Sequence, residues 1–505
     1  MGYDVNNIRK RAVIDMSAEE FRSVGHTLID NLADFLADLP GKKITKGLMP
    51  SEVRNIIDAA LSLPETGSDS TQLLKKAVTV MTEYSLFNGH PKFFGYITSS
   101  PAPIGALGDL IASITNPNCG AFILSPVATE IELQTTRWIA ELIGYTKNCG
   151  GLLVSGGNMA NIIAMWAARK AMANWEIRND GLTERGLKFR MYATTDVHTW
   201  LHKTADLLGM GENSIQWIQM DADHRMVVAD LEKHILKDIA AGFIPMAVIG
   251  TAGSVAFGTI DPLDEIAVIC KKYKTWFHID GAYGALAAAV PELAQSFLGL
   301  SEADSIAVDP HKWLYCPIEA GCTLVRDRKL LADAFSFHPE YYHFDNIGNE
   351  TPTNFYELGP QNSRGFRALK VWLVLQQAGR IGITELIDDN IQLSKQLFKE
   401  LQKHSCLETF TSELSIVTFR YVPEDLRQNI AYEKYLNELN TELLSRIQKG
   451  GELFVSNAVL DGKYLLRSCI VNFRTSLDDI NSIPAIVIKY GKEVDSEMRP
   501  SLEKK

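Results

Sequence analysis

Apolar side chains near the start of the chain recur at helical spacing, with Phe21, Val24, Leu28, Leu32 and Phe35 on one face. Ser17-Ala18-Glu19-Glu20 precedes them as a capping box, in which the serine and glutamate satisfy each other's free amides, and Pro40-Gly41 stops the helix. Further short helical patterns follow from Leu48-Met49-Pro50 to Glu65. From about residue 150 the pattern changes. Unbroken apolar runs at 152–154, 191–193, 246–249, 276–279, 305–308 and 323–325 alternate with helix-length segments. Runs without polar alternation belong to strands covered on both faces, which predicts an α/β domain with a mostly parallel sheet between helices. Ligands on such sheets bind beyond the carboxyl ends of the strands. Residues 335–361 turn polar and aromatic with little periodicity, the mark of a long functional loop. A helix over 363–377 follows, and strand patterns near 414–419 and 465–473 predict a smaller C-terminal α/β domain.

Composition narrows the class. The chain has 505 residues, 46% hydrophobic and 22% charged, as in an ordinary globular enzyme. A net charge of -11 argues against nucleic acid or an anionic membrane as partner. The uncharged stretches 110–129 and 239–260 contain Gly or Pro with several Ser, Thr or Asn residues, which fits buried strands and packed loops better than a membrane span. Seven scattered cysteines without a Cys-x-x-Cys pair predict reduced thiols in a cytoplasmic protein and no metal centre. The basic N-terminus has no apolar run behind it, unlike a secretory signal.

The candidate chemistry sits at predicted strand ends. Asp309-Pro310-His311-Lys312-Trp313 follows the run 305–308, and His278-Ile279-Asp280-Gly281-Ala282-Tyr283-Gly284 contains the run 276–279. A lysine in an apolar setting can attack a cofactor aldehyde, and a buried carboxylate can keep a pyridine nitrogen protonated. Upstream, Val154-Ser155-Gly156-Gly157-Asn158 joins a strand to a helix over 159–173, where glycines and helix amides can receive an anion.

In this order, these segments resemble the group II pyridoxal 5'-phosphate-dependent amino-acid decarboxylases, the family of aromatic-L-amino-acid and glutamate decarboxylases. The resemblance runs from about Met16 to Asp479. It implies the fold type I architecture of PLP-dependent transferases, with a seven-stranded sheet in the large domain. The implied divisions are an N-terminal helical arm over 1–88, a PLP-binding domain over 89–378 with a mobile loop at 335–361, and a small domain over 379–505.

The resemblance also implies roles. Lys312 would be the Schiff-base lysine, Asp280 the partner of the pyridine nitrogen, and Ala282 the small residue beneath the ring. Gly157 and Asn158 would take the phosphate, with His311 closing the other side; Asp309, whose charge does not suit a dianion and which the resemblance does not place, is read from its position as orienting either His311 or Lys312. His198 would stack on the ring and Thr251 would contact it. Tyr341, or its neighbour Tyr342, would protonate the substrate Cα. Phe93, Phe94, Tyr96, Ile97 and Thr98 look like the substrate-side segment and suggest an aromatic L-amino acid. Asn118, Cys119 and Gly120 depart from the bulky residues of aromatic-specific members, which keeps glutamate or another substrate open. The arm implies an obligate homodimer, although a hairpin packed on its own domain also satisfies the pattern. Three rivals remain: an oxygen-dependent aldehyde synthase, which Tyr341 speaks against; an aminotransferase, for whose carboxylate clamp Arg474 could be mistaken, although structural pairing suits that arginine better because a firm salt bridge would hold the carboxylate against leaving; and an inactive PLP-binding protein.

Overall fold

A computed structural model describes residues 14–182, 188–337, 350–427 and 432–499. Strands β1 (Gly150–Val154), β2 (Phe189–Ala193), β3 (Ile215–Trp217), β4 (Ile244–Thr251), β5 (Trp276–Asp280), β6 (Ser305–Val308) and β7 (Gly321–Val325) form one seven-stranded sheet, ordered β1-β7-β6-β5-β4-β2-β3. The pairs from β3 to β6 are parallel, and β7 alone runs against both its neighbours. Strands β1, β5, β6 and β7 are buried along their whole length, which is why their sequences lack alternation. Adjacent residues nevertheless enter different cores, as the pleat requires: Leu153 and Ile306 join the cluster around Trp313 and Phe277, whereas Leu152 and Ala307 join that around Trp200 and Ile163.

A second sheet is antiparallel. Strands β8 (Leu407–Glu413), β9 (Ile416–Tyr421), β10 (Ser456–Leu460) and β11 (Lys463–Cys469) lie in the order β10-β11-β9-β8, with the helices Glu433–Gly450 and Leu477–Met498 packed in the same apolar cluster. Strand β11 ends before the expected residue 473, because Ile470 turns its amide to Ser415 and Asn472 bonds to Asn390 and His90. The helix expected over 363–377 is instead Ala368–Gln402, kinked at Gly379 where φ is 63°. The capping box is present at the start of helix Ala18–Asp38, yet that helix buries none of its residues. Among the described residues, no helix is long and apolar enough to cross a membrane.

The free edge of β1 carries an ion pair in place of a neighbouring strand. Leu153 N donates to Glu132 Oε1 at 2.8 Å, and Arg364 Nη2 donates to Leu153 O at 2.7 Å and Glu132 Oε1 at 2.5 Å. Both side chains are essentially buried, at 1% and 0% exposure. Removing one partner leaves an uncompensated charge and unpaired backbone groups, so Glu132→Ala should lower the unfolding free energy by about 3–5 kcal/mol, measured by chemical denaturation.

Candidate active site

The candidate anion cradle starts where β1 ends. The chain passes through Ser155 and Gly156 into the helix Gly157–Met172, and Gly156 takes a φ of 130° that L side chains rarely adopt. A Cβ on Gly157 would lie 2.6 Å from Asp309 Oδ2 and 3.0 Å from the Ala282 Cβ, so glycine allows three elements to meet. The first amides of a helix have no intrahelical partner, and its dipole favours negative charge there.

Asp280 closes β5 and is 7% exposed. Its Oδ2 accepts from Trp200 Nε1 at 2.6 Å, and its Oδ1 accepts from Ala282 N at 3.2 Å. Thr251, opposite it across the β4–β5 pair, is held by its own amide, which donates to Asp261 Oδ2 at 2.8 Å. Asp261 is fully enclosed, and burial pushes its carboxyl up to about 6. Behind Asp280, His278 meets Asn161 Oδ1 through Nε2 at 2.6 Å and Ser305 Oγ through Nδ1 at 2.8 Å. Burial lowers this imidazole to about 4, which keeps it neutral at pH 7.

Lys312 lies just beyond β6, 16% exposed, with Nζ 3.2 Å from Asp309 Oδ2. The surroundings expected to be apolar thus include a carboxylate. Asp309 Oδ1 is buried without a hydrogen-bond partner. His311 Nε2 stands 3.7 Å from Asp309 Oδ2, while its Nδ1 meets Ala320 O at 2.7 Å. Asp309 is therefore next to both groups it was expected to orient. Ser99 Oγ donates to His311 O at 2.8 Å and ties the 93–99 segment to the site. Under Lys312, Trp313 stacks on Tyr283 with ring centroids 4.7 Å apart.

A cavity of about 370 Å³ is lined by Gly157, Asn158, His198, Thr251, Asp280, Ala282, His311 and Lys312 together. Sequence reasoning missed Trp200, Asn161 and Asp196, which also border it. A tryptophan opening a helix after His198 carries no signal that its indole turns back onto a strand-end carboxylate.

The substrate-side segment departs from expectation, as Phe93, Phe94, Tyr96, Ile97 and Thr98 do not border this cavity. Phe94 N donates to Phe454 O, and Phe94 O accepts from Cys469 N, so the segment joins the small domain's backbone. Phe93 consequently stacks on Phe454 and Phe94 enters the small-domain core. Tyr96 is exposed, Ile97 packs partly on the large core, and Thr98 is half-buried. Asn118, Cys119 and Gly120 pack beneath residues 362–364: Asn118 Oδ1 accepts from the amides of Gly120 and Arg364, and a Cβ on Gly120 would collide with Asn362 O. Arg474 lies over the Phe473 ring and donates to Pro101 O, away from the cavity. Tyr341 and Tyr342 lie outside the described residues.

The donor set fits pyridoxal phosphate. It offers glycine-spaced helix amides for a phosphate, a buried carboxylate for a ring nitrogen, an amine for an aldehyde, and an unpartnered acceptor on Asp309 beside that amine. Residues 50–422 match the family model described as the pyridoxal-dependent decarboxylase conserved domain. The chain is 33% identical over 482 residues to the aromatic-L-amino-acid decarboxylase of Bacillus atrophaeus, covering 95% of this chain and 97% of that protein. It is 29% identical over 470 residues to tyrosine decarboxylase 2 of Arabidopsis thaliana, covering 90% and 84% respectively. The fold is shared with the crystal structure of Oryza sativa TDC with PLP and tryptamine, at a TM-score of 0.88 and 24% identity over 95% of this chain and 99% of that one.

The buried His278 makes stability pH-dependent. Its folded pKa of about 4 lies below the unfolded value near 6.5, so the unfolded state binds more protons and stability falls as pH drops through that window. Asp261, raised to about 6 in the folded state, contributes with the opposite sign. The wild-type advantage over His278→Asn isolates the histidine and should shrink by about 3 kcal/mol between pH 7.5 and pH 4, read from urea unfolding at each pH.

Proposed function

This chain belongs to the pyridoxal-dependent decarboxylase family, and from that premise we propose that it releases the α-carboxylate of an aromatic L-amino acid as carbon dioxide, leaving the amine. The observation that carries the reading is the convergence of Lys312, Asp280 and the Gly157 helix start on one cavity. When bound, pyridoxal phosphate supplies an aldehyde for an amine and a protonated ring that accepts the electrons left when carbon dioxide departs.

The chain's residues would divide the work. The amides at Gly157 and Asn158 hold the phosphate by the helix dipole, and His311, fixed on Ala320 O, closes that side. Asp280 holds a proton at the ring nitrogen, and Ala282 leaves room for the flat ring. His198 and Thr251, which border the cavity, would flank the bound ring. Lys312 provides the anchoring amine, while Asp309 Oδ2 accepts and returns a proton at its Nζ across 3.2 Å. Tyr341 supplies the proton that the substrate Cα needs after carbon dioxide leaves.

Two observations support the aromatic class. The relatives from Bacillus atrophaeus and Arabidopsis thaliana are an aromatic-L-amino-acid and a tyrosine decarboxylase. In addition, Lys312 is the one lysine or arginine among the described residues bordering the cavity, which leaves no second cation there for an acidic side chain. A homodimer is part of the proposal. Helix Ala18–Asp38 has no buried residue, and Leu107, Leu110, Ile111 and Ile114 are exposed on helix Pro103–Thr115, so a second copy has apolar surface to cover. A cytoplasmic location is supported by the free state of all seven cysteines.

The test incubates PLP-loaded protein with single L-amino acids, glutamate among them, and follows amine, aldehyde, peroxide and oxygen together. Amine from tyrosine, tryptophan, phenylalanine or dopa without oxygen uptake is expected, and turnover of glutamate alone would overturn the substrate class. Tyr341→Phe should cut amine formation about 100-fold and divert product to aldehyde with oxygen uptake.

A further inference from the structure

We infer that Trp200 is a positioning residue for the cofactor, setting through its indole N–H how Asp280 grips the ring nitrogen. The inference rests on the cavity being the pyridoxal phosphate site. Trp200 is 1% exposed, and its Nε1 donates to Asp280 Oδ2 at 2.6 Å, a shorter bond than the 3.2 Å one from Ala282 N to Oδ1. The second donor, Ala282 N on Oδ1, comes from the loop after β5, so the carboxylate plane is fixed from two separate elements. Each ionised carboxylate oxygen accepts more than one hydrogen bond, which leaves capacity for a ring N–H after both donors are counted.

The indole is itself fixed. Its ring stands edge-on to His278, at 5.7 Å and 82°, and His278 is pinned between Asn161 and Ser305. Thr204 Oγ1 donates to Trp200 O at 2.8 Å within the same helix, Trp200–Leu207. The Trp200 backbone amide meets His198 Nδ1 at 3.3 Å, so the residue that orients the carboxylate also touches the histidine expected over the ring. A charge in a buried site keeps its orientation only while its donors stay in place, and a neutral donor to a charged acceptor stabilises the charged form. Replacing the indole by a phenyl ring keeps an aromatic against His278 but removes the donor.

The experiment titrates apoprotein with pyridoxal phosphate and, separately, with its 1-deaza analogue, in which C–H replaces the ring nitrogen, following bound-ligand absorbance. For Trp200→Phe, affinity for pyridoxal phosphate should fall about ten-fold, the scale of a hydrogen bond to a charged group. Affinity for the deaza analogue should change less than about two-fold, because it offers no ring N–H to Asp280. In an Asp280→Asn background the same substitution should have no further effect on pyridoxal phosphate. Equal weakening of both ligands would reduce Trp200 to a packing residue and overturn the inference, as would no weakening of either.

Should the phenyl variant fail to fold, wild-type protein labelled with 15N at its eight tryptophan indoles gives an independent readout. One indole N–H resonance should move differently with pyridoxal phosphate than with the deaza analogue; identical responses from all eight would overturn the proposal. Wild-type protein that binds neither ligand would instead overturn the cofactor reading on which the inference stands.

Discussion

The site depends on one physical arrangement: charged groups held out of water at the carboxyl edge of an apolar sheet. Asp280 and Asp309 both sit at strand ends and are each less than a tenth exposed. An isolated carboxylate at such a depth is costly, so each is surrounded by compensating donors or a counter-charge. Asp280 has Trp200 and the Ala282 amide; Asp309 has the Lys312 ammonium. The parallel strands that place these residues side by side are rigid because both their faces are covered, and that rigidity holds the amine and the carboxylate at fixed separation.

The same arrangement explains where polar groups occur in the large core. His278 is an imidazole inside a strand whose neighbours are apolar, and it persists because Asn161 and Ser305 occupy both its nitrogens. Trp276 Nε1 also donates to Ser305 Oγ, so one hydroxyl joins two residues of β5 to β6. At the sheet's open edge, Glu132 and Arg364 stand in for a strand by serving the Leu153 amide and carbonyl. At the sheet edge polar side chains complete backbone bonds that the sheet leaves open, whereas inside it they satisfy one another, as His278 does with Asn161 at the border of the cavity.

Much of this was legible in the sequence. Unbroken apolar runs marked six of the seven strands of the large sheet, and the lysine and aspartate stood at the ends of two of them. Strand β3 was missed because its three residues, Ile215, Gln216 and Trp217, mix apolar and polar side chains at the sheet margin. The capping box at Ser17 was readable because its bonds are local. What escaped was long-range. Phe93 and Phe94 read equally well as pocket or core, and backbone bonds to Phe454 and Cys469 send them to the small domain. Trp200 reaches a residue eighty positions away, a pairing that no periodicity records.

Asp309 shows how a residue that looks misplaced in sequence acquires a reason in space. A carboxylate two residues before the histidine proposed to close the phosphate site would repel a dianion if it faced the helix start freely. Here its Oδ2 lies where a Cβ on Gly157 would crowd it, and the same oxygen contacts Lys312 Nζ. The carboxylate is therefore part of a neutral pair while the lysine is charged. On the proposed reading, the proton that Lys312 releases when it anchors a cofactor passes to Asp309 Oδ2 across 3.2 Å, which keeps the pair neutral beside the helix start. The lack of a side chain at Gly157 lets the Asp309 carboxylate sit at the start of helix Gly157–Met172, where the helix dipole favours negative charge.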